Sequence, residues 1–278
     1  MNMSERPLLF KLSYLLVVIL FSSNITHAEE TLIFSAPPRE SLANGIKIYT
    51  PIARYLTEVT GKKVIYQHPS NWPTYTNNMR LNKYDFVFDE AHFVSWRIKH
   101  LNHRPAVKIP GDFVFTFVSK KNNPRVRQVS DLVAKKVCGF ASPNQGTLLL
   151  YNLLDNPMRQ PTLVPRDEWK EVYTALMENQ CEAAILPQHT YHKFDPRGVH
   201  TRVIHSSQPA SGQAITVSQN LSDRDFHKIR QALLKKKGQT ALQHLQSQYS
   251  TAPLIAASTS EYRGIHSLLQ YSYGFDVY

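Results

Sequence analysis

Cysteine is nearly absent from this chain, with two among 278 residues. That count excludes a disulfide-dense scaffold and a four-cysteine zinc ribbon. Glycine (10) and proline (17) are too sparse for a fibrous or low-complexity protein. Long apolar runs are missing apart from one at the N-terminus, which excludes a multi-span membrane protein. No G-x-S-x-G, H-E-x-x-H or phosphate-loop pattern occurs. Acidic residues are the minority charge, 21 against 32 Lys and Arg, for a net of +11. A positive field favours anionic partners. The bases nevertheless fall in small scattered groups (Lys120-Lys121, Lys135-Lys136, Lys235-Lys236-Lys237), with no basic arm or aromatic-interleaved stripe. They read as solvated faces and not as a nucleic-acid surface. What is present suffices for a sizeable core: 42% hydrophobic and 11% aromatic residues. The length suits one large or two ordinary domains.

Residues 1–28 have the form of a secretory signal peptide. Arg6 and Lys11 make a basic n-region, and Leu12 to Phe21 is an apolar h-region of about ten residues. Ser22-Ser23-Asn24 breaks it, and Thr26-His27-Ala28 places small residues where cleavage after Ala28 is expected. The h-region is short for a membrane span, and no Cys follows it for a lipoprotein anchor. Loss of the leader removes two bases and one acid, leaving a mature charge of +10. Export also argues against nucleic acid as a partner.

The remaining chain alternates strand and helix patterns. Residues 31–35 (TLIFS) read as a strand. Thr50-Pro51 has the form of an N-cap followed by proline at the first helical position. Ile52, Leu56 and Val59 continue that face, and Gly61 stops it. Strands are expected at 63–67 and 84–88, and helices at 74–81 and 90–100. This βαβαβα order predicts a parallel sheet covered by helices. Residues 112–119 (DFVFTFVS) read as one long strand, with Phe113, Phe115 and Phe117 on one face and Val114, Thr116 and Val118 on the other. A second alternating set follows, with strands at 137–141, 162–164 and 182–186. Its helices are a short one at 130–132, then 146–154 and 166–178. Strands at 201–205 and 213–218 come next. Ser222 caps a helix carrying Phe226, Ile229 and Leu233. A last helix holds Tyr262, Ile265, Leu268 and Leu269.

Several stretches, in order, resemble the solute-binding proteins of phosphonate, phosphite and phosphate ABC transporters. They are Tyr49-Thr50-Pro51 through Leu56, Thr60-Gly61-Lys62-Lys63-Val64 and Tyr84-Asp85-Phe86-Val87-Phe88. Ser130-Asp131-Leu132, Lys136-Val137, Ser142-Pro143, Ser206-Ser207-Gln208-Pro209 and Glu261-Tyr262 continue the series. The resemblance implies an α/β, two-lobed type II periplasmic-binding fold hinged on two crossing strands. Lobe one would hold 29–114 and 211–278, and lobe two 115–210, with ligand between them. It implies a periplasmic monomer that takes a small-molecule ligand, needs no cofactor and serves an inner-membrane ABC permease. A sensor kinase as partner, or an exported enzyme on the same fold, are the alternatives. No nucleophile and base pairing supports the enzyme.

The ligand would favour strand C-terminal ends and helix N-termini. Ser142, Asn144, Gln145, Gly146 and Thr147 fall between a strand and a helix and suit an anion. Family members place a Ser/Thr-rich run before a Gly here, so this chain has fewer hydroxyl groups. Asp89, Glu90 and His92 follow the third strand, where the family has small or neutral residues. Two carboxylates would repel a bare dianion. They either accept an ammonium group, or Glu90 belongs to first-turn helix chemistry. Arg39 either holds an anion bidentately or is a solvated loop residue. Tyr49 matches an aromatic near the family's site or packs in the core. Gln188 and His189 face the same region in the implied fold.

Cys138 and Cys181 lie near the starts of strands that the family places in one sheet, so they are a disulfide candidate in an oxidising periplasm. His189 and His192 have helical i, i+3 spacing, but a lone histidine pair among 12 histidines is not expected to hold a metal.

Overall fold

The computed structural model describes residues 31–250, 252–270, 272, 274 and 275. The expected leader and its cleavage after Ala28 lie outside them. In chain order the first elements are β1 (Leu32–Ser35), α1 (Leu42–Thr60), β2 (Val64–Tyr66), α2 (Trp72–Arg80), β3 (Phe86–Asp89), α3 (Ala91–Leu101), β4 (Arg104–Lys108) and β5 (Asp112–Phe113). The next are β6 (Phe115–Lys120), β7 (Lys136–Gly139), α4 (Gln145–Leu153), β8 (Thr162–Pro165), α5 (Trp169–Met177), β9 (Ala183–Pro187), α6 (Gln188–Phe194) and β10 (Thr201–Ser206). The chain then runs through β11 (Ala210–Ser211), β12 (Ala214–Val217), α7 (Asp223–Leu234), α8 (Lys236–Ala241), α9 (Gln243–Tyr249) and β13 (Ile255–Ala256).

One sheet has six strands in the order β13-β4-β12-β3-β1-β2 and the other has five, β10-β6-β9-β7-β8. Within the first, β1 pairs in parallel with β2 and β3, and β12 and β13 run antiparallel to β4. Within the second, β7 pairs in parallel with β8 and β9, and β6 is antiparallel to β9 and β10. The two sheets are the two lobes. β5 carries the chain from the first to the second and β11 brings it back. They pair antiparallel with each other, Ala210 against Phe113 and Ser211 against Asp112. This two-strand ribbon is the hinge.

Each lobe has its own core. Ile48, Tyr49, Ile52 and Leu56 of α1 bury against Phe34, Phe86, Phe88 and the α7 residues Phe226, Ile229 and Leu233. In lobe two, Phe115 and Phe117 join Val137, Leu150 and Ile185 on one face of the sheet. Val118 joins Cys138, Leu176 and Leu186 on the other. The alternation expected for residues 112–119 holds, but the strand divides at Val114. Its first two residues pair with β11 and the rest with β9 and β10.

Other boundaries differ from expectation. α1 begins at Leu42, eight residues before Thr50, with the Ser41 side chain accepting from the Asn44 N–H at 3.4 Å. Pro51 sits inside it. Proline removes one helical hydrogen bond, yet Ile48 and Tyr49 on the preceding turn are buried with Ile52 on the following one. That common burial carries the helix through. Gly61 ends it in the left-handed region (φ 73°). β4 was not expected, and it contains Pro105, a residue disfavoured within strands. It is accommodated where the β4–β12 register shifts, between Ile215 and Thr216, a position that tolerates a missing N–H. The last helix is two 3-10 turns, Thr259–Tyr262 and Ile265–Leu269, separated at Gly264 (φ 83°).

Candidate functional site

β3 ends at Asp89 and α3 begins at Ala91, so two adjacent carboxylates leave the sheet in opposite directions. Asp89 turns into lobe one. Its Oδ2 accepts from Arg97 Nη1 at 2.9 Å and from the Tyr75 hydroxyl, and its Oδ1 accepts from the Glu90 N–H at 2.8 Å. Arg97 also donates from Nε to Thr216 Oγ1 at 3.2 Å. Both charges are fully buried. Burying either alone would cost several kcal/mol, of order 3–5 when a partner is removed. Asp89 is therefore a structural anchor, and its oxygens are spent inside lobe one instead of facing a ligand.

Glu90 occupies the N-cap position of α3, yet its side chain makes no capping bond. The first-turn role considered for it is corrected by that geometry: the carboxylate reaches across to lobe two. Its Oε1 accepts from Arg39 Nη1 at 3.4 Å and from Asn144 Nδ2 at 3.3 Å. Its Oε2 accepts from the Gln145 backbone N–H at 3.2 Å. Gln145 is the first residue of α4, so the carboxylate sits on that helix's N-terminus, where unpaired N–H groups and the dipole attract negative charge. The side chains of Arg39 and Glu90 are only 5% and 3% exposed.

Arg39 is held in place from lobe one. Its guanidinium lies 5.7 Å from the Phe88 ring centre and 5.2 Å from that of Tyr249. Burial opposes its charge, but Glu40, Tyr49, Glu90 and Asp89 outweigh burial and raise its pKa above the ordinary value. Its Nε and Nη2 are buried and meet no acceptor in hydrogen-bonding geometry. The solvated-loop alternative is thus corrected: the side chain is enclosed. Glu40 is pushed up by burial, against the pull of Arg39 and Tyr49. Tyr49 is fully buried among Phe34, Tyr66 and Phe88, with its hydroxyl 3.4 Å from Glu40 Oε1.

His92 makes a second link between the lobes, Nε2 to the Pro143 carbonyl at 3.0 Å. Burial lowers its pKa, Glu90 and Asp89 opposing, so it is neutral at pH 7 and donates from Nε2. Asn144 caps α4, its Oδ1 accepting from the Gly146 N–H at 3.0 Å. Gly146 is where helix and strand approach most closely. A Cβ there would come within 2.6 Å of the Phe115 ring and 2.9 Å of Ile185.

The other expected residues stand apart. Thr147 Oγ1 donates to the Phe140 carbonyl at 2.6 Å and so points back along its own turn. Ser142 is exposed. Gln188 and His189 open the short helix α6 and are exposed, with the His189 ring 5.8 Å from Phe113 on the hinge. Among the described residues no group of three metal-ligating side chains forms. Glu40, Phe88, Tyr249 and Arg97 were not singled out from the sequence. Arg97 had a legible signal, a charge four residues from Phe93 on the apolar face of a helix. Glu40 adjoins Arg39 in the chain, whereas Phe88 and Tyr249 reach Arg39 only through the fold.

A cavity of about 450 Å³ opens beside Gln145. Leu149 and Leu153 of α4 line it with residues 205–210 and with Arg263, Gly264, Ile265 and Leu268.

The family described as "ABC transporter, phosphonate, periplasmic substrate-binding protein" matches residues 34–262. No curated protein matches the chain in sequence. Among solved structures it resembles XAC2383 from Xanthomonas citri bound to ATP, at 14% identity and a TM-score of 0.67, over 86% of this chain and 95% of that one. PhnD1 from Prochlorococcus marinus in complex with methylphosphonate matches at 12% identity and 0.67, over 87% and 98%. A binding protein component of an ABC phosphonate transporter from Pseudomonas aeruginosa matches at 14% and 0.63, over 89% and 88%. At these identities the likeness is one of fold: two α/β lobes of the type II periplasmic-binding kind.

Proposed function

The chain belongs to the periplasmic substrate-binding proteins of phosphonate ABC transporters, and from that membership we propose that it captures a small anion between its lobes and delivers it to an inner-membrane permease. One observation carries the anionic reading. A buried carboxylate, that of Glu90, rests where the α4 N-terminus, Asn144 and Arg39 converge. A place that holds a carboxylate from the chain offers the same donors to a phosphonate or phosphate oxygen.

Arg39, Asn144 and the Gln145 N–H are the anion-binding groups, with Tyr49 and Glu40 behind Arg39. His92 fastens the lobes beside them. The described residues of 31–114 and 211–275 form one moving body and 115–210 the other, turning on β5 and β11. Ligand held by donors from both lobes favours the closed arrangement. The protein acts as a periplasmic monomer after cleavage behind Ala28. No helix of the described residues is long and apolar enough to cross a membrane.

The test is thermal stability of unfolded and refolded protein, a treatment that strips co-purified ligand. The panel is phosphate, phosphite, methylphosphonate, 2-aminoethylphosphonate, sulfate and several cationic amines. A ligand at about 100 times its dissociation constant adds about 2.7 kcal/mol. A shift with phosphorus oxyanions is expected. A shift with amines alone would contradict the anionic reading.

A further inference from the structure

The geometry points to Glu90 as a built-in occupant of the anion seat, a residue that sets affinity and selectivity by competing with the ligand for it. This inference rests on the anion-capture reading. Three donors from two lobes converge on one side chain: Arg39 Nη1 from lobe one, Asn144 Nδ2 and the Gln145 N–H from lobe two. No capping bond ties the carboxylate to its own helix. Its hydrogen bonds are therefore those of a bound anion, and from its own helix the His92 ring comes near, Nδ1 lying 3.8 Å from Oε2.

The charge balance makes the two occupants exclusive. With Glu90 seated, its negative charge neutralises Arg39 and satisfies the first N–H of α4. A second anion at that point would stand within a few ångström of Glu90 in a buried site, where like charges repel by several kcal/mol. Either the ligand displaces Glu90 or it does not bind. Arg39 keeps two buried N–H groups, Nε and Nη2, without an acceptor in bonding geometry. An oxyanion with three or four oxygens uses more of that fork than a tethered carboxylate does. Glu90 thereby discriminates against monocarboxylates, which gain nothing over it, in favour of anions that offer more acceptors. It also fastens the lobes when no ligand is bound, so the open, competent state is a minor one and the apparent affinity is reduced by that fraction.

The test compares wild type with Glu90→Gln and Glu90→Ala. Ligand-stripped protein is titrated calorimetrically with methylphosphonate, phosphate and acetate, and its radius of gyration is measured by X-ray scattering without anion. Glu90→Gln keeps the side-chain volume, and serves if Glu90→Ala leaves Arg39 too exposed to fold. Both variants should bind methylphosphonate or phosphate at least about tenfold more tightly than wild type, a difference of about 1.4 kcal/mol. Acetate should gain measurable binding only in the variants. Without anion the variants should be more expanded than wild type, and anion should restore the wild-type radius. If wild type binds anions and the variants bind equally or more weakly, competition by Glu90 is overturned while anion capture stands. If an amine binds wild type, fails on both variants, and no anion binds any of the three, both are overturned. An unchanged radius in both variants overturns the fastening of the lobes.

Discussion

Asp89 and Glu90 are neighbours in sequence and opposites in environment. Asp89 belongs to the interior of lobe one through Arg97 and Tyr75, and Glu90 belongs to the boundary between lobes. A strand side chain alternates sides, so adjacent residues at a strand end diverge even when they are chemically alike. Near the same buried cluster, His103 sets a pH dependence. Its ring is 3.3 Å from Thr216 Oγ1 and 3.1 Å from Asn82 Oδ1. Burial, with Arg97 and Arg104 nearby, drives its pKa well below the ordinary 6.5. In the unfolded chain it takes up a proton near pH 6.5, whereas the folded chain refuses it. Stability is therefore full above about pH 6.5 and falls as the pH drops, by up to about 1.4 kcal/mol per unit for this group. Denaturant melts between pH 7 and 5 should show that fall, and His103→Asn should flatten the slope by about one proton. An unchanged slope would mean that the histidine is charged in the fold. Residue identities at the seat were legible in part. Arg39, Glu90, His92, Asn144 and Gln145 were named from loop positions at strand ends and helix starts, and Tyr49 from its likeness to an aromatic of the family. Glu40 was not, although it adjoins Arg39, and Tyr249 was not, because a residue 210 positions distant in sequence reaches Arg39 only through the packing of α9.

At the scale of elements, periodicity located most strands and helices but not β4, β11, β13, α6, α8 and α9, and the start of α1 and the loss of β4 share a cause. Thr50-Pro51 has the local chemistry of a helix start, but the apolar residues on both sides of it bury together, and tertiary packing overrides the local signal. β4 escaped because Pro105 is tolerated at a register shift supplied by β12, a partner more than 100 residues away. The link between β7 and the start of β9 has a covalent part. Cys138 and Cys181 are bonded with Cα atoms 5.8 Å apart, and the parallel pairing of Cys138 with Ala184 brings them together. The bond closes a loop spanning 43 positions, worth about 4 kcal/mol in the chain-entropy model. Thiol titration of denatured, unreduced protein should find no free thiol, and the Cys138→Ser/Cys181→Ser double variant should lose about 2–4 kcal/mol of stability. Two free thiols, or an unaltered stability, would contradict the bond.

At the scale of the molecule, the order of elements carried the fold. The alternation of strands and helices implied a parallel sheet covered by helices, and the family resemblance implied the two lobes and the hinge. The approach of the lobes was not legible, since Glu90 to Gln145 and His92 to Pro143 are contacts between remote segments with no local signature. The proposed function puts its anion at that approach, held by Arg39 on one side and by the oriented N–H groups of α4 on the other. Calorimetric titration of methylphosphonate into ligand-stripped wild type and Arg39→Gln tests this most directly. The account predicts saturable one-to-one binding in wild type and a loss of at least about tenfold, some 1.4 kcal/mol, in the variant. Equal affinity in the two proteins would contradict it.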